Sequence, residues 1–170
     1  MNNKLILEKN NLSFFLLCFL PAALVIGPFP AEIIINTLSL FFLYDVFKKK
    51  NFDFLKNFFF IYVFVYFTYL VIISISSEIF IKIAPNVLFY FRFILFSFAI
   101  SEVLKKNEKY FKYVFFSLSL TIFIVVIDGY IQFIFDENII GYPKYRPDRI
   151  SGFFNDDLII GSYLFRLLPL

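Results

Sequence analysis

Long apolar runs alternate with short polar stretches along the whole chain. The apolar runs cover residues 12–27, 29–47, 57–77, 86–104, 113–135 and 157–170. Runs close to the roughly 20 residues that a helix needs to cross a bilayer predict transmembrane helices. The pattern therefore predicts an all-α, polytopic transmembrane protein with five spans and the start of a sixth, in a single transmembrane domain, with irregular backbone confined to the loops.

Composition supports this class and excludes others. The chain of 170 residues is 61% hydrophobic, and Phe and Tyr contribute 29 and 11 residues. A soluble domain of similar size buries only about 70% of the surface of its unfolded chain, so it could not hide this much apolar surface. With one cysteine, Cys18, and no histidine, the chain has no internal disulfide, no His-based zinc site and no Ser-His-Asp triad.

The first two runs are predicted to form a hairpin. Residues 12–47 would make one straight helix of about 54 Å, against a hydrocarbon core of about 30 Å. Gly27-Pro28-Phe29-Pro30 interrupts this stretch, and proline disfavours helix at the residue before it. A cleaved signal peptide ending near Pro21-Ala22-Ala23 is the alternative, but the apolar pattern continues well beyond that point.

The distribution of basic residues predicts a cytoplasmic N-terminus. With the hairpin, the segments on the N-terminal side hold Lys4, Lys9, Lys48, Lys49, Lys50, Lys56, Lys105, Lys106, Lys109 and Lys112. The segments on the opposite side hold only Lys82, Lys144, Arg146 and Arg149. Because cytoplasmic loops carry the excess of Lys and Arg, the loop over residues 136–156 is predicted to be external.

Several charged residues lie within the predicted spans. Arg92 and Asp128 are each about 10 Å below the outer end of their span, and Gln132 follows Asp128 by one helical turn. Glu32 and Arg166 are near the same side. Two interpretations stay open: a structural Arg92–Asp128 pair between two helices, or an outward-facing cavity in which Arg92 and Arg166 meet an anionic substrate.

The external loop combines basic residues with turn-forming residues. Lys144, Arg146 and Arg149 make a local basic patch, and an arginine fork suits phosphate recognition. Ser151-Gly152 would let the backbone approach a ligand closely. A solvated loop of mixed charge is the alternative interpretation.

The end of this loop resembles an ordinary helix start. Asn155 is predicted to cap the next helix, with Asp156 and Asp157 in its first turn, where acidic side chains complement the helix dipole. The two aspartates are therefore predicted to be supporting residues, like Asp128, and the sequence identifies no catalytic residue.

Four stretches carry a family resemblance. Arg149-Ile150-Ser151-Gly152-Phe153-Phe154-Asn155-Asp156-Asp157, followed by Gly161-Ser162-Tyr163-Leu164, resembles the R-x-S-G-x-F and G-S-Y-L stretches of bacterial O-antigen ligases and O-antigen polymerase-like membrane proteins. The break at Gly27-Pro28-Phe29-Pro30 and the stretch Phe89-Tyr90-Phe91-Arg92-Phe93 are similar too. The resemblance covers the N-terminal part of that family.

The resemblance implies a glycosyltransferase site in the bacterial inner membrane, facing the periplasm. Its donor would be an undecaprenyl-pyrophosphate-linked glycan, and lipid A-core or another glycan would be the acceptor in lipopolysaccharide or surface polysaccharide assembly. Arg149 matches the family arginine that holds pyrophosphate. For Arg146, Arg92 and Arg166, a substrate-binding role follows from their depth and charge. The partners are then the lipid bilayer and the lipid-linked glycan, with no metal, no other cofactor and no nucleic acid expected.

The family also has more spans and a later external loop with further functional residues. The sequence is therefore expected to be a truncated N-terminal portion of a larger protein. Other hypotheses are a segment of a polysaccharide or lipid transporter or flippase, and an inactive remnant or accessory membrane protein.

Overall fold

The computed structural model of the chain describes residues 3–50, 52–76, 87, 89–146, 148–155 and 157–167. Its α-helices are α1 (Asn3–Ile26), α2 (Pro28–Lys49), α3 (Phe58–Ile75), α4 (Phe91–Lys105), α5 (Glu108–Phe135) and α6 (Ile160–Leu167), and its 3-10 helices are Asp53–Lys56 and Gly152–Phe154. The described residues contain no β-strand, only two isolated bridges. The predicted all-α class is confirmed.

Four of the described helices are long and apolar enough to cross a membrane. These are Lys9–Ile26, Pro28–Lys49, Phe58–Ile75 and Glu108–Phe135. They match four of the predicted spans, 12–27, 29–47, 57–77 and 113–135. Their surfaces carry many exposed apolar side chains, such as Phe29, Phe58 and Phe133. Side chains of this kind suit contact with a lipid bilayer rather than with water.

Within the described residues, the two other predicted spans correspond to shorter helices. In place of 86–104 there is α4 with 15 residues, about 22 Å long. In place of the start of a span at 157–170 there is α6 with eight residues, and residues 168–170 lie outside the described part. Neither helix is among the four that satisfy the length of a membrane span.

The predicted break between the first two helices is confirmed. Gly27 alone separates α1 from α2, and it has φ of +150°, a value that L side chains rarely adopt. Pro28 takes the first helical position of α2, where its missing N–H costs no hydrogen bond. The ammonium group of Lys9 on α1 donates to the carbonyl oxygen of Phe41 at 2.9 Å and pairs with Asp45, both on α2. The two helices therefore run back along each other as the hairpin that the sequence predicts.

The chain divides into two compact units. The first unit consists of Met1–Phe14 and Glu32–Glu108, and the second consists of Phe15–Ala31 and Lys109–Leu170. Two of the boundaries fall inside α1 and α2, so each of these helices contributes to both units, and the third follows Glu108, the first residue of α5.

An aromatic cluster forms the core of the first unit. The ring of Phe54, from the 3-10 helix, lies 5.3 to 5.6 Å from the rings of Phe42, Phe60 and Phe98. Aromatic pairs at such distances contribute about 0.5–1.5 kcal/mol each beyond their buried area. The cluster therefore holds together the end of α2, the start of α3 and the middle of α4.

The second unit is built around α5. The phenol of Tyr163 on α6 donates to the carbonyl oxygen of Pro21 on α1 at 3.2 Å, and its ring contacts Phe154 at a centroid distance of 5.4 Å. These contacts hold α6 and the 3-10 helix Gly152–Phe154 in the unit. The connection between α5 and α6, residues 136–159, contains the candidate site.

Candidate functional site

Two polar side chains lie on one face of α5 near its end. Asp128 and Gln132 are four residues apart, and both are fully buried, at 0% exposure. The opposite face carries exposed apolar residues such as Tyr130 and Phe133. Because buried polar groups need hydrogen-bond partners, this face must be covered by something other than lipid. The connection 136–159 supplies that cover.

Gln132 binds the returning backbone of this connection. Its side-chain oxygen Oε1 accepts hydrogen bonds from the N–H groups of Ser151 at 2.9 Å and Gly152 at 2.8 Å. Its amide nitrogen Nε2 donates to the carbonyl oxygen of Tyr142 at 3.3 Å and to the Ser151 hydroxyl at 3.4 Å. One side chain thus satisfies backbone groups from two separate parts of the connection.

Asp128 and Asn138 form the second half of this network. Asp128 Oδ1 accepts from the N–H of Ile139 at 3.0 Å, and Asn138 Nδ2 donates to the carbonyl oxygen of Gly152 at 3.0 Å. Asn138 Nδ2 also lies 3.5 Å from Asp128 Oδ2. Asn138 Oδ1 accepts from the N–H of Tyr142 at 2.7 Å, which closes a tight turn. We call Asp128, Gln132 and Asn138 the polar brace of the connection.

The polar brace changes the predicted role of Ser151 and Gly152. Ser151 is fully buried and Gly152 is buried, and both of their N–H groups are bound to Gln132. In this conformation these N–H groups are occupied by the protein and not offered to a ligand. Both residues therefore hold the connection against α5, whereas the sequence suggested that they contact substrate.

Gly152 is required for this close approach. Its φ is +57°, and a Cβ atom there would lie 3.0 Å from Asp128 Oδ2 and 3.2 Å from Ile160 Cδ1. Gly141 also has positive φ, of +97°, but a Cβ there would meet nothing within 4 Å. An added Cβ at Gly141 would therefore bring backbone strain alone, whereas at Gly152 it would bring backbone strain and a steric conflict with Asp128.

We expect Gly152→Ala to destabilise the protein by about 2 kcal/mol, from a left-handed backbone cost of about 1–2 kcal/mol together with displacement of Asp128. Gly141→Ala should have the smaller effect, because it brings only the backbone cost. Thermal unfolding of the two purified variants measures the difference. Equal losses of stability in both variants would show that Asp128 tolerates the added methyl group.

Lys144, one of the three cations of the predicted basic patch, is held by groups at the end of α5. Its ammonium group donates to Asp136 Oδ1 at 2.6 Å and to the carbonyl oxygen of Phe133 at 2.9 Å. The side chain is only 15% exposed. A lysine that binds the last carbonyl groups of a helix acts as a C-terminal cap. The Lys144 side chain therefore caps the C-terminal end of α5.

Arg146 and Arg149 are exposed on one turn. The N–H of Arg149 donates to the carbonyl oxygen of Arg146 at 3.2 Å, so the two residues face each other across the turn. The Arg149 side chain is 58% exposed, and it pairs with Asp148 at 3.9 Å, a side chain that is itself 75% exposed. An exposed ion pair of this length contributes little free energy, so Arg149 can readily exchange it for another anion.

Arg92 has a different partner from the one that the sequence suggested. In the first unit its guanidinium group forms a two-pronged ion pair with Glu32, with both N–O distances at 2.6 Å. It also lies over the ring of Phe93 at 4.9 Å. In the second unit Asp128 binds the amide groups of Asn138 and Ile139. Arg92 and Asp128 therefore each have partners within their own unit, Glu32 for Arg92 and the amides of Asn138 and Ile139 for Asp128.

The predicted helix start at Asn155 is wrong. Asn155 has φ of +54° and follows the 3-10 helix, and α6 begins only at Ile160. Asp157 is exposed and precedes α6, so it is not in the first turn of that helix. Asp156 lies outside the described residues. Arg166 is on α6, but its side chain also lies outside the described part of the structure.

Sequence reasoning gave no role to Asn138 and did not pair Glu32 with Arg92. The sequence did contain a signal for Asn138. Asn138 is a turn-forming residue shortly after an apolar helix, and that helix carries two polar residues, Asp128 and Gln132, one turn apart. The signal for Glu32 was an acidic residue at the start of an apolar helix, on the same side as Arg92. Within the described residues, no group of three His, Cys, Asp or Glu side chains could hold a metal ion.

The fold and this site define an α-helical protein of membrane-spanning type, with a braced polar connection at the end of its longest helix. Neither protein-family models, curated proteins nor solved structures give a match to the chain.

Proposed function

We propose that this chain is the N-terminal, donor-binding part of a periplasm-facing glycan transferase of the O-antigen ligase or polymerase type. The resemblance of residues 149–164 to that family is the starting point. The observation that carries the proposal is the exposure of Arg146 and Arg149 on a turn that the polar brace holds against α5.

The donor in this proposal is an undecaprenyl-pyrophosphate-linked glycan. The planar fork of an arginine can donate two parallel hydrogen bonds to phosphate oxygens. With two arginines facing each other across one turn, each phosphate of a pyrophosphate group can have its own guanidinium partner. Arg149 is assigned the closer contact, and Arg146 the supporting one.

The chemical contribution of these arginines is to stabilise the leaving group. When an acceptor hydroxyl attacks the anomeric carbon of the donor sugar, the bond between that carbon and the pyrophosphate oxygen breaks. The electron pair stays on the pyrophosphate, whose negative charge therefore increases, and the proton of the acceptor hydroxyl passes to water. Cationic groups placed in advance at this position lower the barrier, because they need little reorganisation as the charge develops.

The same proposal places the connection 136–159 on the outer face of the inner membrane. The positive-inside distribution supports this orientation, with most lysines at the other ends of the helices. Arg92 contributes less to donor binding in this proposal, because Glu32 already neutralises its charge. Transport of a lipid-linked glycan and an inactive accessory role are the competing functions.

The test is Arg149→Ala in the bacterium that encodes the protein. We expect transfer of glycan from the lipid-linked donor to fall by about 10²-fold, since an arginine that stabilises developing charge is lost. Arg149→Lys should retain part of the activity, because it keeps the charge but not the fork. Asp148→Ala removes an exposed neighbour on the same turn and serves as the matched control. Surface polysaccharide is measured by gel electrophoresis and by transfer in isolated membranes.

Two outcomes would contradict the proposal. Wild-type transfer in Arg149→Ala would exclude a donor-binding role for this residue. Labelling of a Tyr145→Cys variant, in a Cys18→Ser background, by a membrane-impermeant maleimide reports the side of the connection. If intact cells leave this cysteine unlabelled and lysed cells label it, the connection faces the cytoplasm and the donor cannot reach it.

A further inference from the structure

The first unit contains another polar site, at the end of α2 opposite to Glu32. It is a cavity of about 320 Å³, within the usual size range of small-ligand sites. Lys49, Asn57, Ser101 and Lys105 supply its basic and uncharged polar groups. Neither Arg146, Arg149 nor the polar brace contributes to it, so an inference drawn from it is independent of the proposed function.

The cavity is located where helices end. Lys49 is the last residue of α2, Lys105 is the last residue of α4, and Asn57 is the N-cap of α3. Since α2 and α3 are both long and apolar enough to span a membrane, the point where one ends and the next begins lies at the boundary between lipid and water. A ligand in the cavity would therefore be at the depth of phospholipid headgroups.

The charges around the cavity favour an anion. Two carboxylates, Asp45 and Glu102, also line it. Asp45 is already paired with Lys9, whose ammonium group lies over the ring of Tyr44 at 4.6 Å. Lys49 and Lys105 are exposed and add two further positive charges.

A further lysine lies within electrostatic range of the same carboxylates. Lys106 donates to Asn10 Oδ1 at 2.7 Å. Partial burial lowers the pKa of its ammonium group, the charges of Asp45 and Glu102 act in the opposite direction, and those of Lys49 and Lys9 lower it further. Four lysines thus surround two carboxylates, which leaves an excess of positive charge at this end of the unit.

The floor of the cavity is apolar. Phe42, Phe54 and Phe98 line it, and they are the same rings that form the core of the unit. A free inorganic anion would gain nothing from this floor. A ligand with a phosphate group and an apolar part could use both halves of the lining.

We propose that this cavity, which we call the lysine cavity, binds the headgroup of an anionic phospholipid. The phosphate oxygens accept hydrogen bonds from Lys49 and Lys105, while the Ser101 hydroxyl and the Asn57 side-chain amide donate to the headgroup. Asn57 Oδ1 already caps α3 by accepting from the N–H of Phe59 at 3.0 Å, so its NH₂ group is the part suited to a ligand. The acyl chains lie against the apolar surfaces of the neighbouring helices.

The experiment measures lipid binding to the purified chain in detergent by native mass spectrometry. Phosphatidylglycerol is the probe, and phosphatidylcholine is the lipid without net charge. We expect preference for phosphatidylglycerol in the wild type. Lys49→Gln combined with Lys105→Gln should weaken its binding by about 30-fold, since a basic residue near an anionic lipid contributes about 1 kcal/mol. Lys50→Gln combined with Lys112→Gln removes two charges outside the lysine cavity, and should change binding by less than about threefold.

A second variant distinguishes the effect of the cavity's shape from the effect of its charge. Ser101→Phe fills the lysine cavity and leaves every lysine in place, and we expect it to weaken phosphatidylglycerol binding as well. Equal losses in the two double lysine variants would overturn the proposal, because they would indicate diffuse attraction to surface charge. Competition by glycerol phosphate at the same concentration as the lipid would also overturn it, since a soluble phosphate would then be the ligand.

Discussion

Replacing Gln132 by leucine is expected to release the α5–α6 connection from α5. The side chain accepts hydrogen bonds from two buried N–H groups, those of Ser151 and Gly152. Leucine has a similar size but accepts no hydrogen bond. An unsatisfied buried donor costs about 1–3 kcal/mol, so two of them amount to about 4 kcal/mol. This is the largest single effect that we expect in the molecule.

Hydrogen exchange of the segment around Ser151 and Gly152 measures this release directly. In the wild type, both amides should exchange slowly, because each is bound and buried. In Gln132→Leu they should exchange at the rate of an open loop, and thermal stability should fall. Ser119→Leu is the matched control, since Ser119 is an exposed polar residue of α5 outside the network. Unchanged protection in Gln132→Leu would show that the connection is held by other contacts.

Replacing Asp128 by leucine is expected to cost about 3 kcal/mol. Its carboxylate accepts from the N–H of Ile139 and lies within reach of the Asn138 amide, and leucine leaves both donors unsatisfied. Asn138 should then lose its position against the carbonyl oxygen of Gly152. Thermal unfolding in detergent measures the loss of stability.

Asp128→Asn tests whether the acceptor or the charge matters. Asparagine keeps an oxygen for Ile139 and loses only the long contact of 3.5 Å with Asn138. We therefore expect the free energy of unfolding to fall by less than about 1 kcal/mol, because the substitution removes one weak contact and also avoids the cost of burying a carboxylate. Destabilisation by Asp128→Asn as large as that by Asp128→Leu would show that the negative charge itself stabilises the connection.

The two predictions bear on the proposed function through Arg146 and Arg149. Both arginines lie on a turn between Tyr142 and Ser151, and Gln132 contacts the connection on both sides of this turn. If the brace is lost, the turn gains freedom and the arginines must be ordered again when a phosphate binds. Glycan transfer should therefore decrease in Gln132→Leu as well, although Gln132 does not touch the donor in our proposal.

Much of the helical architecture could be predicted from the sequence. The apolar runs at 12–27, 29–47, 57–77 and 113–135 each correspond to a helix long and apolar enough to span a membrane. Gly27 and Pro28 marked the break between the first two helices. These features depend on the hydrophobicity and backbone preferences of adjacent residues, so neighbours in the sequence contain the information.

The end of the connection shows where local reasoning failed. Asn155, Asp156 and Asp157 together resemble a helix cap, yet α6 begins at Ile160. Phe154 packs against Tyr163 and a 3-10 turn occupies residues 152–154, so tertiary contacts decide the path of the chain there. A capping sequence is a weak preference of about 1 kcal/mol, which packing can override.

The sequence by itself determined that Arg92 and Asp128 are unusual, because a charge in an apolar run is costly wherever it lies. Only the tertiary structure decided their partners: Glu32, 60 residues from Arg92, and the amide groups of Asn138 and Ile139 for Asp128. The same holds for the basic patch, where Lys144 caps α5 while Arg149 stays exposed. The physical reason is that burial and pairing depend on which distant segments meet in space, whereas a hydrophobic pattern records only neighbours along the chain.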